Sequence, residues 1–526
     1  MTLIALTLRR HRVALGSWWV LLVALSGVTV PSYRATYPTA AQRLVAADLA
    51  RRNVAGTLLY GRLGGGGTSA ELFAWEVGAI VTVLAAVAAV LLAVALTRAA
   101  EDDGTVEVIR SNGVSARAPL YAALAVLAMF ATACGAGCAA VVGMHAGRVD
   151  GVTAAGAVTF GATVGLTFLV VAVLAVLLAQ VVPAAGAARL LGLGAVGIAF
   201  AVRAVADVRH VDGLNRFSPL GLRAVARPFD GDRWGMLGAY LAVAFAVAGA
   251  AVFLHGRRDF RGGLLRQRDR RAAHLRIRST VGLAGRLARG GIVAWTLAVA
   301  AVGTLFSAMG SGVLEQSRGG DVGGFLGAQL GADPVAGYFA YTATVLGVLV
   351  SAFAVLSVAR TAAEELSGRT DHVLATGVRR WAPLAARVVV TAAGAAAVLL
   401  VAGLLSGFVA ARVIDGADVA ARAFGYVVGQ WPAVLVAAGW TALLAGWRPR
   451  FTWLAWVPLV LSAGLALLGQ LLGVPERVRD LGTFHHVPDL LGDHPHLGGQ
   501  AVLLAVAAGT TLAGLVAVTR RDVTTG

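Results

Sequence analysis

Twelve long apolar runs, separated by short polar stretches, make up most of this 526-residue chain. A helix needs about 20 predominantly apolar residues to cross a bilayer, so each run predicts one spanning helix. The first six cover residues 13–31, 73–96, 118–144, 154–180, 187–206 and 234–255. The second six cover 290–311, 336–359, 382–412, 422–446, 451–473 and 498–518. The fifth is the weakest, because Arg189, Arg203 and Asp207 leave it a short clean core. The predicted fold is an all-α polytopic membrane protein with two six-helix halves, 1–255 and 290–526, joined by an Arg-rich linker at 256–289. Six spans per half is an even number, so the halves share one orientation and form parallel repeats.

Composition supports lipid as the solvent. The chain is 58% hydrophobic and 13% charged, whereas a soluble protein carries roughly 25% charged residues. Its 67 glycines fit helices packed closely through small residues. All 44 basic residues are arginine. A Walker A loop needs a lysine on the phosphates, so this chain cannot hold one, and ATP hydrolysis would have to come from another polypeptide. The net charge of +17 does not point to nucleic acid, because the arginines sit between apolar runs, where they orient the chain and touch lipid headgroups. Cys134 and Cys138, one turn apart in an apolar run, read as small core residues. Arg9-Arg10-His11-Arg12 before the first run resembles a signal anchor, with no convincing cleavage site after it.

The basic residues also predict orientation. Arg9, Arg10 and Arg12 precede the first span, nine arginines and two aspartates lie between Arg257 and Arg278, and Arg520-Arg521 follow the last span. An even number of spans links these points, which places them all on the cytoplasmic side with both termini. The first outer loop opposes this with five arginines between Arg34 and Arg62, but it is long, and long loops follow the rule less strictly. Residues 38–60 there pattern as an amphipathic interfacial helix. Residues 207–233 and 474–497 occupy equivalent outer positions in the two halves.

One polar segment is written twice. Residues 99–122 recur at 363–386 with no gap. Glu101 matches Glu365, Gly104 matches Gly368, Glu107 matches Asp371, Gly113-Val114 matches Gly377-Val378, and Ala118-Pro119-Leu120 matches Ala382-Pro383-Leu384. Each copy follows one apolar run and precedes another. Glu101, Asp102 and Asp103 open the first copy, and Glu364 and Glu365 open the second. Acidic side chains favour helix N-termini, Gly113 and Gly377 end each segment, and Pro119 and Pro383 start the next span. The pattern predicts a short cytoplasmic helix held between two spans, fit to take a push from a soluble motor.

Few charges lie within the spans. Glu76 falls near the outer end of the second, beside Trp75, and Arg203 and Asp207 near the outer end of the fifth. Intramembrane ionisable groups are candidate path or gate residues. Arg203 and Asp207 are four apart on one helix face, which favours a structural pair, as interfacial anchoring does for Glu76. His485, His486, His494 and His496 cluster in one outer loop, but their spacing matches no metal-ligand pattern. The sequence predicts no metal site, no catalytic residues and no cofactor in this chain.

The motifs, taken in order, resemble the permease subunits of the ABC-2 exporters grouped as polyketide-antibiotic exporters. They are Tyr37-Pro38 and Asn53; Glu101, Gly104 and Glu107; Arg203 and Asp207; Ser218-Pro219-Leu220-Gly221; Arg227-Pro228-Phe229; Asp232-Arg233-Trp234; Gly256-Arg257-Arg258-Asp259; Glu364-Glu365, Gly368-Arg369 and Asp371; and Phe484-His485-His486-Val487-Pro488. The resemblance covers nearly the whole length. It implies a separate ATP-binding subunit, used as a homodimer with one copy of this chain, carrying ATP and Mg and docking on the two inserts. It implies a bacterial plasma membrane, and the apolar spans suit a small hydrophobic or amphipathic cargo among membrane lipids. Thr105 stands where the family has the arginine seen at Arg369, and Gly482-Thr483 where it has Ser-Pro, so the two docking surfaces are expected to be unequal. The rival readings are an ion-coupled secondary transporter, which needs acids deep in the spans, and a membrane-embedded lipid-linked transferase, which needs acids clustered at a membrane face. The spans offer almost no such acids, and the outer loops carry more arginine than acid.

Overall fold

The computed structural model describes residues 3–52, 54–258, 262–263, 279–318, 333–416, 418–468, 474–486 and 498–521. Among these residues every regular element is helical, and twelve helices are long and apolar enough to cross a membrane. The spans in the first half are Leu3–Arg34, Ser69–Asp102, Ala118–Gly143, Ala154–Val181, Ala185–Val208 and Trp234–His255. Those in the second half are Thr280–Gly312, Pro334–Leu366, Ala382–Val413, Val419–Trp447, Pro449–Leu467 and Gly498–Arg520.

Each expected run is helical over its described residues, the tenth with a break between Val428 and Trp431, and several helices overrun it. The first begins at Leu3 and carries Arg9, Arg10 and Arg12 on helical turns. The seventh begins at Thr280, so residues 280–289 of the expected linker continue a span, and 264–278 lie outside the described residues. A backbone hydrogen-bonded within its own helix gains nothing by stopping where the apolar run stops. At 1.5 Å per residue, the 34-residue first helix spans about 50 Å, well beyond a hydrocarbon core of about 30 Å.

The chain forms two compact units, Met1–Ala273 and His274–Gly526. In each, the second and fourth spans are the most enclosed. Ala85, Ala86, Ala88, Ala89 and Ala93 of the second span have no exposed surface. In the first unit the third and fourth spans cross at glycines. A Cβ on Gly161 would lie 2.2 Å from the Gly135 carbonyl oxygen, and one on Gly165 would lie 2.7 Å from that of Ala131. In the second unit the tight crossing joins the fourth and sixth spans, where a Cβ on Gly446 would lie 2.1 Å from the Gly514 carbonyl oxygen. Apolar tails offer helices no hydrophobic reason to associate, so such backbone approach is what holds spans together. Cys134 and Cys138 are buried here, with Ser26 Oγ 3.5 Å from Cys138 Sγ.

Within each unit, an even number of spans puts the insert and the exit of the sixth span at one end. The opposite end of the first unit carries a cap. Helices Ala40–Arg52 and Val54–Tyr60 fill the expected amphipathic stretch, and Ala47 buries against Leu63, Leu72 and Trp75. Short turns at Asp212–Phe217, Pro219–Gly221 and Leu222–Ala226 complete it. In the second unit Glu476–Arg479 is helical, and residues 487–497, with His494 and His496, lie outside the described residues.

Candidate functional site

Each insert is a helix interrupted at two glycines. In the first unit the second span breaks at Thr97 and resumes as a last turn, Arg98–Asp102. Gly104 follows with φ +80°, then the short helix Thr105–Ser111, then Gly113 with φ +79°. In the second unit the helix Pro334–Leu366 is followed by Gly368 with φ +72°, the short helix Arg369–Leu374, and Gly377 with φ +81°. A Cβ at Gly104, Gly113 or Gly377 would meet nothing within 4 Å. The left-handed backbone, and not lack of space, therefore asks for glycine there.

This geometry corrects the expected role of the leading acids. Glu101, Glu364 and Glu365 do not open the short helices; they lie in the last turns of the spans before them. The acids in the first turns of the short helices are Glu107 and Asp371. The turn at Gly104 or Gly368 separates the two sets.

Glu101 is 5% exposed and Glu365 8%. Arg98 Nη1 donates to Glu101 Oε2 at 2.8 Å, and Arg258 Nη1 donates to the same oxygen at 2.9 Å. Arg258 Nη2 donates to Oε1. Arg258 Nε also donates to Gln180 Oε1 at 2.7 Å, and Arg98 Nε to the Pro183 carbonyl at 2.9 Å. Asp102 accepts from the Ala185 amide at 2.8 Å. The carboxylate of Glu101 thus sits where the ends of the second, fourth and sixth spans meet.

The second unit repeats the arrangement with other atoms. Arg521 grips Glu365 with both terminal nitrogens, Nη2 to Oε2 at 2.7 Å and Nη1 to Oε1. Its Nε donates to the Gly446 carbonyl at 2.6 Å, and Nη2 to that of Ala445 at 3.1 Å. Glu365 too joins the ends of the second, fourth and sixth spans of its half. Beside it, Arg387, itself 4% exposed, donates to Glu364 at 2.7 Å. A guanidinium suits both places because its planar fork matches a carboxylate and still has donors for carbonyls.

The exposed surface of each insert lies on the short helix and the turn after it. Glu107, Val108, Ser111 and Asn112 are exposed in the first unit, and Arg369, His372 and Thr376 in the second. Thr105, which aligns with Arg369 of the second insert, is itself engaged: Arg10 of the first span donates to Thr105 Oγ1 at 2.5 Å and to Asp103 Oδ2 at 2.8 Å.

At the cap end the sequence found two members of a larger cluster. Arg203 and Asp207 are 3% and 1% exposed, but they do not pair as expected. Arg203 Nη2 donates to the Leu58 and Leu59 carbonyls at 2.7 and 2.8 Å, and Asp207 Oδ1 accepts from Asn215 Nδ2 at 2.7 Å. The helix end is capped by chain from elsewhere, and unpaired carbonyls in an apolar setting take the guanidinium first. Arg223, which sequence reasoning missed, donates to the Ala74 carbonyl at 3.2 Å and to that of Tyr60. Burial, and then the positive charge of Arg203, push its guanidinium down to about 10. A polar cavity of about 320 Å³ opens beside Asp207, Asn215 and Arg223, with Arg62, Glu71 and Trp75 on its wall. Glu76 lies apart from it, half-buried, and accepts from the Tyr33 hydroxyl at 2.6 Å. His485 sits 3.1 Å from Asp480.

Arg258 and Arg521 were legible after the fact. Arg257-Arg258-Asp259 and Arg520-Arg521-Asp522 are the same tripeptide directly after the sixth span of each half. Their spacing is one residue shorter than that of the inserts, so a search at the fixed insert offset passes over them.

Residues 277–518 match the sequence family described as the C-terminal domain of the multidrug efflux system permease Rv1217c. Across 528 aligned positions the chain is 32% identical to the multidrug efflux system permease protein Rv1217c of Mycobacterium tuberculosis, covering 99% of this chain and 94% of that protein. With twelve apolar helices and a likeness that runs from end to end, this multi-pass membrane protein belongs to the family of multidrug efflux system permeases.

Proposed function

We propose that this chain is the permease subunit of an ABC-2 type exporter of the polyketide-antibiotic group, which moves small hydrophobic or amphipathic molecules out of a bacterial cell. A separate ATP-binding-cassette ATPase, acting as a dimer on one copy of this chain, supplies the energy. ATP and Mg belong to that partner. The observation that carries the reading is the pair of inserts: in both units the same short polar helix hangs from a junction of three span ends. A push on either helix has a direct path into half of its bundle. Glu107, Asp371, Arg369 and the exposed short-helix surfaces make the contact, and Glu101, Glu364 and Glu365 hold the mount behind it. Gly104, Gly113, Gly368 and Gly377 set the turns between mount and contact. Glu76, Arg203 and Asp207 support the cap end.

Ion coupling draws no support from the carboxylates of the spans, which sit near span ends and not midway. The purified chain is expected to turn over no ATP, having no lysine for a phosphate loop, and to stimulate turnover when its ATPase is added. Persistent hydrolysis in a preparation free of other polypeptides contradicts the reading.

The reading also fixes sidedness: both termini and both inserts face the cytoplasm, and the cap faces outward. Single cysteines at Ser111, Thr376 and Phe217, all exposed positions, test this in a background without Cys134 and Cys138. In intact cells an impermeant thiol reagent is expected to label Phe217→Cys and to spare the other two. The reverse pattern inverts the topology.

A further inference from the structure

We propose that Arg258 and Arg521 are positioning residues that latch each insert to the exit of its own sixth span. Insert and sixth span then move as one body when the motor pushes. The idea rests on the exporter reading above and adds a route for the force and the residues that carry it.

Three observations support it. First, the same construction occurs in both units: the second arginine of the Arg-Arg-Asp tripeptide at the exit of the sixth span reaches the glutamate that stands at the same place in both copies of the insert. Second, each carboxylate is buried, with Glu101 5% and Glu365 8% exposed. A buried ion pair is often no more stable than well-packed apolar residues of similar volume, so bulk stability is a poor reason to build one twice. A pair that fixes which elements stay together is the better-supported use of buried charge. Third, each arginine binds a third element as well. Arg258 takes Gln180 of the fourth span, and Arg521 takes the Ala445 and Gly446 carbonyls of the fourth span in its half. The second, fourth and sixth spans therefore meet at one guanidinium in each unit. The latches differ in what backs them. Glu101 has Arg98 as a second cation, whereas in the second unit the additional arginine, Arg387, goes to the neighbouring Glu364. The first latch keeps one arginine on its carboxylate when Arg258 is lost.

The test uses the full-length chain in lipid nanodiscs and in proteoliposomes with its ATPase. Arg521→Gln alone leaves a buried carboxylate facing a neutral side chain and is liable to misfold. The double variant Glu365→Gln, Arg521→Gln leaves no uncompensated charge, and removing both partners is far milder than removing one, so it is expected to fold. The matching variant in the first unit is Glu101→Gln, Arg98→Gln, Arg258→Gln. Hydrogen exchange on the chain alone is expected to show faster exchange in the insert and the last turn of the preceding span in the altered unit only. In proteoliposomes, cargo exported per ATP hydrolysed is expected to fall about fivefold or more, the lower part of the range for coupled sites, while ATP turnover continues. Arg521→Lys, which keeps the charge but not the fork, is expected to recover part of that ratio. A double variant that folds, exchanges like the wild type and exports at the wild-type ratio overturns the latch, as does Arg521→Lys performing no better than the neutral variant. A wild-type chain that neither binds nor stimulates the ATPase overturns the exporter reading instead, and the exchange result still decides whether the latch holds the two segments together.

Discussion

Glu101→Ala is expected to lower the thermal unfolding midpoint of the purified chain more than any change at an exposed insert residue. The carboxylate accepts from Arg98 and Arg258, the first 1% exposed. Removing it leaves two guanidiniums close together where water does not reach them. Breaking a buried ion pair by deleting one partner costs about 3–5 kcal/mol, against a total stability of about 5–15 kcal/mol for a typical domain. The remaining donors keep the Pro183 and Gly262 carbonyls and Gln180, and Asp102 Oδ1 stays 3.9 Å from Arg98 Nε, which softens the loss but does not replace the buried carboxylate. Glu107→Ala, on the exposed short helix six residues on, is the control, and an exposed substitution of that kind stays within about 0.5 kcal/mol. Equal melting behaviour for the two variants shows that Glu101 is not a structural hub.

Gly161→Leu is expected to prevent the first unit from assembling. The glycine lies where the fourth span presses on the third, and a Cβ there would lie 2.2 Å from the Gly135 carbonyl oxygen and 2.8 Å from the Ala139 amide nitrogen. Both are backbone atoms, so no side chain can swing aside, and the spans must separate. Overpacking typically costs about 1–3 kcal/mol and occasionally more; a branched side chain driven into backbone belongs at or above the top of that range. Separation also removes the dispersion contacts that hold spans together in lipid. The readout is the monodisperse fraction of detergent-extracted protein on a sizing column. Gly249→Leu in the sixth span, where a Cβ meets nothing within 4 Å, is expected to match the wild type. A Gly161→Leu protein as monodisperse and heat-stable as the Gly249→Leu control contradicts the crossing.

The spans were legible because a bilayer forces a one-dimensional signal: about 20 apolar residues in a row. Helix ends were not, since nothing in an apolar count says that Arg9 or Arg286 continues a helix beyond the run. The insert was legible as a repeated polar segment with glycines at its turns. The role of Glu101 was not, because burial of a carboxylate depends on an arginine 157 positions away. A local rule, acids at helix starts, assigned it to the short helix, and the left-handed turn at Gly104 shows why that failed. Arg203 and Asp207 stood out as charges near a span end, but spacing on one helix predicted a pair with each other. Their actual partners are the Leu58 carbonyl, 145 positions from Arg203, and Asn215, which the turn after the helix folds back onto Asp207; spacing along one helix encodes neither. Arg223 drew no notice because it lies in a polar loop, where an arginine is usually solvated; only the folded cap encloses it.

The most direct test of the account is transport by a two-component system. Inside-out vesicles holding this chain and the ATP-binding-cassette ATPase proposed as its partner are predicted to accumulate a fluorescent amphipathic dye when ATP is supplied. Accumulation is predicted to be absent when either component is omitted or when the ATPase lacks its phosphate-loop lysine. Dye uptake by the chain alone, driven by a proton or sodium gradient without ATP, contradicts the account.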